Sequence, residues 1–261
     1  MYSLAVINQK GGVGKTTTAV NLGHALALRG YRVMLVDLDP QGHLSPCLGL
    51  FRAPASGVDR ALLHGETLEE VAVATRELLQ LVPAGKGLGE VERLQGGIER
   101  ARLLQAALQR ACPDVDYLVV DCPPSAGLLV MNALLAVDRV LVPVAGDFLS
   151  LTGLARLMRT LGKVEALRAR PLQREIFLSR YVARRRLSRE VSDKIRQHFP
   201  SQLLQSVISE AAVLAECAGA GRTIFEYRAR SRSAAEFAAL AEELLEREVN
   251  CHEQQETPDV A

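Results

Sequence analysis

The stretch Lys10-Gly11-Gly12-Val13-Gly14-Lys15-Thr16-Thr17 constrains this chain more than any other. It follows an apolar run, Leu4 to Ile7, and opens a helical pattern from Thr17 to Leu28. Strand, glycine loop and helix, in that order, make the context of a phosphate-binding loop. Glycines let backbone N–H groups point at phosphate oxygens where a side chain would block the approach. The new helix adds its unpaired N-terminal donors and the positive end of its dipole. In such a loop residues 11–17 surround the phosphates. Lys15 reaches the β- and γ-phosphates, and the Thr16 hydroxyl binds Mg²⁺.

The standard pattern places a glycine five residues before Gly14, and Gln9 stands there instead. A second lysine, Lys10, opens the loop. This deviant signature, KGGVGKT, resembles the ParA/MinD superfamily of dimeric P-loop ATPases, and within it the ParA/Soj-type partition ATPases. The resemblance implies ATP and Mg²⁺ as cofactors and a homodimer formed with ATP. It also implies that Lys10 crosses to the partner subunit's nucleotide and supplies charge there, as an arginine finger does.

With 261 residues and 48% hydrophobic content, the chain is expected to fold as one globular domain over residues 1–249, followed by a polar, disordered tail at 250–261. The net charge of +1 conceals an asymmetry. Residues 1–150 carry −2 (13 Lys/Arg against 15 Asp/Glu), residues 151–200 carry +9 (13 against 4), and residues 201–261 carry −6 (5 against 11). A local block of +9 is a candidate polyanion surface. Five scattered cysteines without C-x-x-C spacing point to reduced thiols, and no run approaches the length of a transmembrane helix. A cytoplasmic protein that engages no membrane is expected.

Along the chain, Arg32-Val33-Met34-Leu35-Val36 reads as a buried strand that ends in Asp37-Leu38-Asp39. Carboxylates at the C-terminal end of a parallel strand stand where α/β folds bind ligands, and two of them two residues apart point the same way. By resemblance Asp39 positions the attacking water, and Asp37 lies beside the γ-phosphate and the Mg²⁺. Tyr117 to Val120 followed by Asp121 is a Walker B pattern, with Asp121 holding the metal. Cys122-Pro123-Pro124 and the residues to Gly127 match the family's switch segment, and Cys122 itself reads as a small core residue. His24, on the first helix, reads as structural. Further helices are predicted over Leu88–Arg110, Leu128–Ala136, Leu154–Leu167 and Ala234–Val249, with strands at 78–82, 139–144 and 176–178.

The basic block centres on Arg180, Arg184, Arg185, Arg186 and Arg189, and a second cluster follows at Arg228, Arg230 and Arg232. Arginine-rich and poor in acids, these read as a phosphate-backbone surface for duplex DNA. No base-reading motif accompanies them, so such binding would ignore sequence. The chief departure from the family lies at Ser209, Glu210 and Ala211, where relatives typically carry Pro-Arg-Asn, with Val213 replacing an arginine. The final helix backs its apolar stripe with glutamates, which disfavours a MinD-like membrane-targeting role.

These readings converge on a doubly wound α/β fold, its mostly parallel sheet flanked by helices. The resemblance implies a DNA-binding, nucleoid-associated positioning ATPase for plasmid or chromosome partition, slow alone and stimulated by a ParB-like or cargo-adaptor partner. The alternatives are ParA-like positioning of a protein assembly, such as a carboxysome-type microcompartment or a chemotaxis cluster, and a MinD-like membrane-associated regulator.

Overall fold

The computed structural model describes residues 1–256 apart from 53 and 96. Eight strands, β1 (Tyr2–Val6), β2 (Val33–Asp37), β3 (Val73–Arg76), β4 (Leu79–Val82), β5 (Tyr117–Asp121), β6 (Arg139–Ala145), β7 (Gln173–Tyr181) and β8 (Leu203–Ser209), form one sheet in the order β3-β4-β2-β5-β1-β6-β7-β8. All neighbours pair in parallel except β3 with β4. The doubly wound fold is therefore as expected.

The central strands read as continuous apolar runs because both faces of the sheet are covered. Alternate residues serve opposite faces: Leu4 and Val6 join one apolar core, Ala5 and Ile7 the other. The first core is closed by helices α1 (Lys15–Ala27) and α11 (Arg232–Glu256), through residues such as Leu22, Leu26, Phe237 and Leu240. The second is closed by α5 (Leu103–Arg110), α6 (Leu128–Ala136), α7 (Phe148–Glu165) and α8 (Arg186–His198), through Leu104, Leu129, Leu157 and Ile195 among others. Short helices α2 (Leu44–Cys47), α3 (Val58–Leu63), α4 (Leu88–Val91), α9 (Ala212–Gly219) and α10 (Ile224–Tyr227) fill the connections.

Three predicted elements change. The long helix expected over 88–110 is broken into α4, a 3-10 turn at Arg100–Arg102, and α5. Two adjacent glycines at 96–97 stand in its middle, and each costs a helix about 1 kcal/mol relative to alanine. Helix α7 begins at Phe148 instead of 154, because the Asp147 carboxylate caps it by accepting the Ser150 N–H at 3.0 Å. Helix α11 runs from Arg232 to Glu256, past the predicted end at Val249. Residues 257–261 lie outside the described residues.

His24 is structural, as expected. Its Nδ1 lies 2.6 Å from the Thr223 hydroxyl, and burial pushes its pKa down. Cys122 is buried, and burial holds its thiol far above the ordinary range, as suits a packing residue.

Candidate nucleotide site

The glycine loop leaves the C-terminal end of β1, the strand whose neighbours diverge, β5 on one side and β6 on the other. Such a divergence opens the crevice in which open α/β sheets bind ligands. Gly12 and Gly14 adopt left-handed backbone (φ 72° and 91°), which glycine alone takes without cost. Two of the loop's carbonyls are held by the end of β7. Ser179 Oγ donates to Val13 O at 2.7 Å, and Arg180 Nη1 donates to Gly12 O at 2.8 Å. Asn8 spans the loop's base, accepting the Lys10 N–H at 2.9 Å and donating to Pro143 O at 2.8 Å. The loop so held borders a cavity of about 740 Å³.

Gly11, Gly12, Gly14, Lys15, Thr16 and Thr17 all line that cavity, and Val13 is buried behind it. Lys15 is 7% exposed, and burial lowers its pKa against the opposing pull of Asp121 and Asp39. Register sets the acidic wall: Asp37 on β2 stands opposite Asp121 on β5. The Thr16 hydroxyl donates to Asp121 Oδ2 at 2.6 Å, whereas Asp121 Oδ1 is buried with no hydrogen-bond partner among the described residues. Burial pushes the Asp121 pKa up to about 7. A hydroxyl beside an orphaned carboxylate oxygen is a donor set that a hard cation such as Mg²⁺ fits. Among the described residues, no group of three or more His, Cys, Asp or Glu could hold a metal ion. The fit therefore relies on phosphate oxygens to complete the coordination.

Asp39 faces the cavity, its Oδ1 accepting the Gln41 N–H at 3.0 Å. Asp37 is placed differently. Fully buried, it accepts the N–H groups of Asp39 and Leu44, each at 3.0 Å, and so shapes the loop that carries Asp39. Burial first, and Asp121 second, raise its pKa well above the usual carboxylate range.

Lys10 is tied within its own chain. Its Nζ lies 2.5 Å from Asp147 Oδ2 and 3.2 Å from Ser150 Oγ. Burial alone would raise the Asp147 pKa, but the bonds from Lys10 and the Ser150 N–H outweigh it and hold the carboxyl low. Asp147→Ala removes this pair and the cap of α7 together. It is expected to cost about 1–2 kcal/mol in urea denaturation.

The basic residues separate. Arg184, Arg185, Arg186 and Arg189 are exposed where α8 begins, and Arg228 and Arg230 are exposed ahead of α11. Arg186 pairs with Glu190, and Arg189 donates to Ala183 O. Arg232 reaches Glu236, which also accepts the Ser209 hydroxyl, while the adjacent Glu210 reaches Arg185. The end of β8 thus lies between the two clusters. Arg180 faces the nucleotide cavity. Asn8, Asp147 and Ser179 were missed by the sequence reading, which marked Glu210 only as a departure from the family. Only Asp147 carried a local signal, an aspartate ahead of a helical run.

A family profile described as an AAA domain matches residues 1–173. The chain is 38% identical to the chromosome partitioning protein ParA of Caulobacter vibrioides (strain NA1000 / CB15N), over 94% of each chain. It is 37% identical to the sporulation initiation inhibitor protein Soj of Bacillus subtilis (strain 168), over 92% of this chain and 97% of that one. Among solved structures, it is similar to the cobyrinic acid a,c-diamide synthase of Mycobacterium smegmatis with bound ADP and magnesium, at 32% identity and a TM-score of 0.79 over 94% of both chains. Loop, carboxylates, sheet order and relatives agree over nearly the whole length, and the chain belongs to the ParA family of P-loop ATPases.

Proposed function

We propose that this protein is a ParA-like positioning ATPase for plasmid or chromosome partition, which dimerises with ATP, binds duplex DNA without sequence preference, and acts on the nucleoid in the cytoplasm. The observation that carries the reading is the convergence of Lys15, Thr16 and Asp39 on one cavity at the glycine loop, with Asp121 buried behind it on the Thr16 hydroxyl. The names of the relatives support partition as the role.

The loop's backbone N–H groups and Lys15 bind the polyphosphate and neutralise charge that develops on it during transfer. Thr16 and Asp121 would hold Mg²⁺, which supplies Lewis-acid polarisation of the phosphates when bound. Asp39, anchored by the Gln41 N–H, orients water at the cavity wall. Orientation without a stronger base gives slow turnover, which a ParB-like partner would accelerate. Lys10 must leave Asp147 to act across a dimer, so the ion pair opposes premature assembly. No described helix is long and apolar enough to cross a membrane.

Dimerisation would bring together the basic faces of two subunits, and doubling the phosphate contacts raises affinity steeply. Binding to random-sequence duplex DNA should accordingly require ATP and Mg²⁺ and weaken with salt. Arg184→Glu or Arg230→Glu should weaken it uniformly across sequences, and each neutralised contact should lower the salt slope by about 1. Binding that ignores nucleotide state would sink the proposal.

A further inference from the structure

We propose that Arg180 and Glu210 form a clamp over the nucleotide, with Arg180 a positioning residue of the nucleotide site and not part of the polyanion surface. The inference rests on the cavity being a nucleotide site. It adds a residue pair to that site, at the position where this chain departs from its family's pattern.

Arg180 closes β7 with left-handed backbone (φ 50°), one of two non-glycine residues so placed among those described. Arginine holds that conformation only where its surroundings impose it. The surroundings are two segments that both line the cavity. Nη1 donates to Gly12 O of the glycine loop at 2.8 Å, and Nη2 donates to Glu210 Oε1 at 2.8 Å. On either side the backbone is pinned, by Ser179 Oγ on Val13 O and by the Glu210 N–H on Tyr181 O at 3.1 Å. One side chain therefore links the phosphate end of the cavity to the wall formed by Ser209, Ala211 and Leu214, and both clamp residues line the space between.

Folding stability does not account for this pair. The side chains are 53% and 35% exposed, and an ion pair so open to water contributes little. Left-handed arginine costs more than such a pair returns. The guanidinium has five N–H donors, of which two are engaged among the described residues. The free donors and the aliphatic stem are available to a nucleoside di- or triphosphate filling the cavity. Glu210 keeps the guanidinium from swinging into solvent and at the same time occupies it, so that Arg180 is withheld from DNA.

Because the clamp braces the loop that holds the phosphates, it should serve ADP and ATP alike. Its loss should raise KM while leaving kcat near its original value, the pattern of uniform binding. The test is titration of the full chain with fluorescent ADP and ATP–Mg²⁺, with DNA binding measured at saturating ATP. Arg180→Ala should weaken both nucleotides about tenfold, as expected for a lost charge-assisted contact, and should leave DNA binding unchanged at saturation. Arg180→Lys, which can reach Gly12 O or Glu210 but not both, should recover part of the loss. Glu210→Gln, which still accepts one N–H, should lose less than Arg180→Ala. These conservative variants keep the test valid if the alanine variant folds poorly. Unchanged nucleotide affinity in Arg180→Ala overturns the clamp, as does loss of DNA binding with nucleotide affinity intact. Failure of the unaltered chain to bind ADP or ATP overturns the nucleotide reading itself, a distinguishable result.

Discussion

Lys15→Ala is expected to lower ATP hydrolysis by about 10²–10³-fold, the scale seen when one preorganised donor is removed from a site of developing charge. Lys15 is held beside two site carboxylates: it is buried, its charge is favoured by Asp121 and Asp39, and its Nζ lies 3.4 Å from Lys10 O. Removing it deletes a cation and leaves those acidic groups facing a polyanionic substrate. Nucleotide affinity should fall with turnover. Lys10→Ala should behave otherwise. In the single subunit Lys10 points to Asp147 and Ser150, so ADP binding should stay within about twofold, on the order expected for a residue not committed to ground-state binding. Hydrolysis should nevertheless be lost, because the step proposed for Lys10 needs a second subunit. Phosphate release and fluorescent-ADP titration separate the two variants. Appreciable hydrolysis by Lys15→Ala would contradict the site assignment, and loss of ADP binding by Lys10→Ala would contradict its role across the dimer.

Much of this site is local in sequence, which is why it could be read there. The glycine loop needs left-handed backbone at Gly12 and Gly14, and only a glycine pattern meets that need in one stretch. Asp121 closes an apolar strand and Asp39 follows two residues after the end of another, so an apolar run and the acids at its end sufficed to place them. Strand order was not legible in this way. That β5 lies between β1 and β2 follows from packing of the whole sheet. The different employment of Asp37 was hidden for a similar reason: its partners are backbone N–H groups, which carry no residue signature. The roles of Asn8, Ser179 and Arg180 also depend on backbone partners, and for Ser179 and Arg180 these lie more than a hundred residues away. Charge counting placed Arg180 with its basic neighbours. The turn of the chain at the end of β7 placed it in the cavity.

A second large effect is expected far from the loop residues, in the sheet itself. Arg139 on β6 is 1% exposed and lies 2.5 Å from Glu175 Oε1 on β7, with its guanidinium 4.8 Å from the Tyr2 ring centroid. Burial pushes the Glu175 pKa up to about 7, against the pull of Arg139 and Arg247. Arg139→Met strands that carboxylate and should cost about 3–5 kcal/mol, a large share of the 5–15 kcal/mol that about covers an ordinary domain. Glu175 then becomes still harder to ionise. A carboxyl with its folded pKa raised contributes most below its unfolded pKa, near 4.5, and loses that contribution as pH rises through the folded value. The deficit of the variant should thus be smaller at pH 5 than at pH 8. The double variant Arg139→Met/Glu175→Leu removes the stranded charge and should regain most of the loss. Urea denaturation at both pH values checks this. An equal deficit at pH 5 and pH 8, or no recovery in the double variant, would assign the cost to packing around Tyr2 and not to the buried charge. The outcome bears on function, because β6 also carries the Pro143 carbonyl that Asn8 grips at the base of the glycine loop. A sheet loosened at this pair should weaken nucleotide binding without any change in the residues that touch the nucleotide.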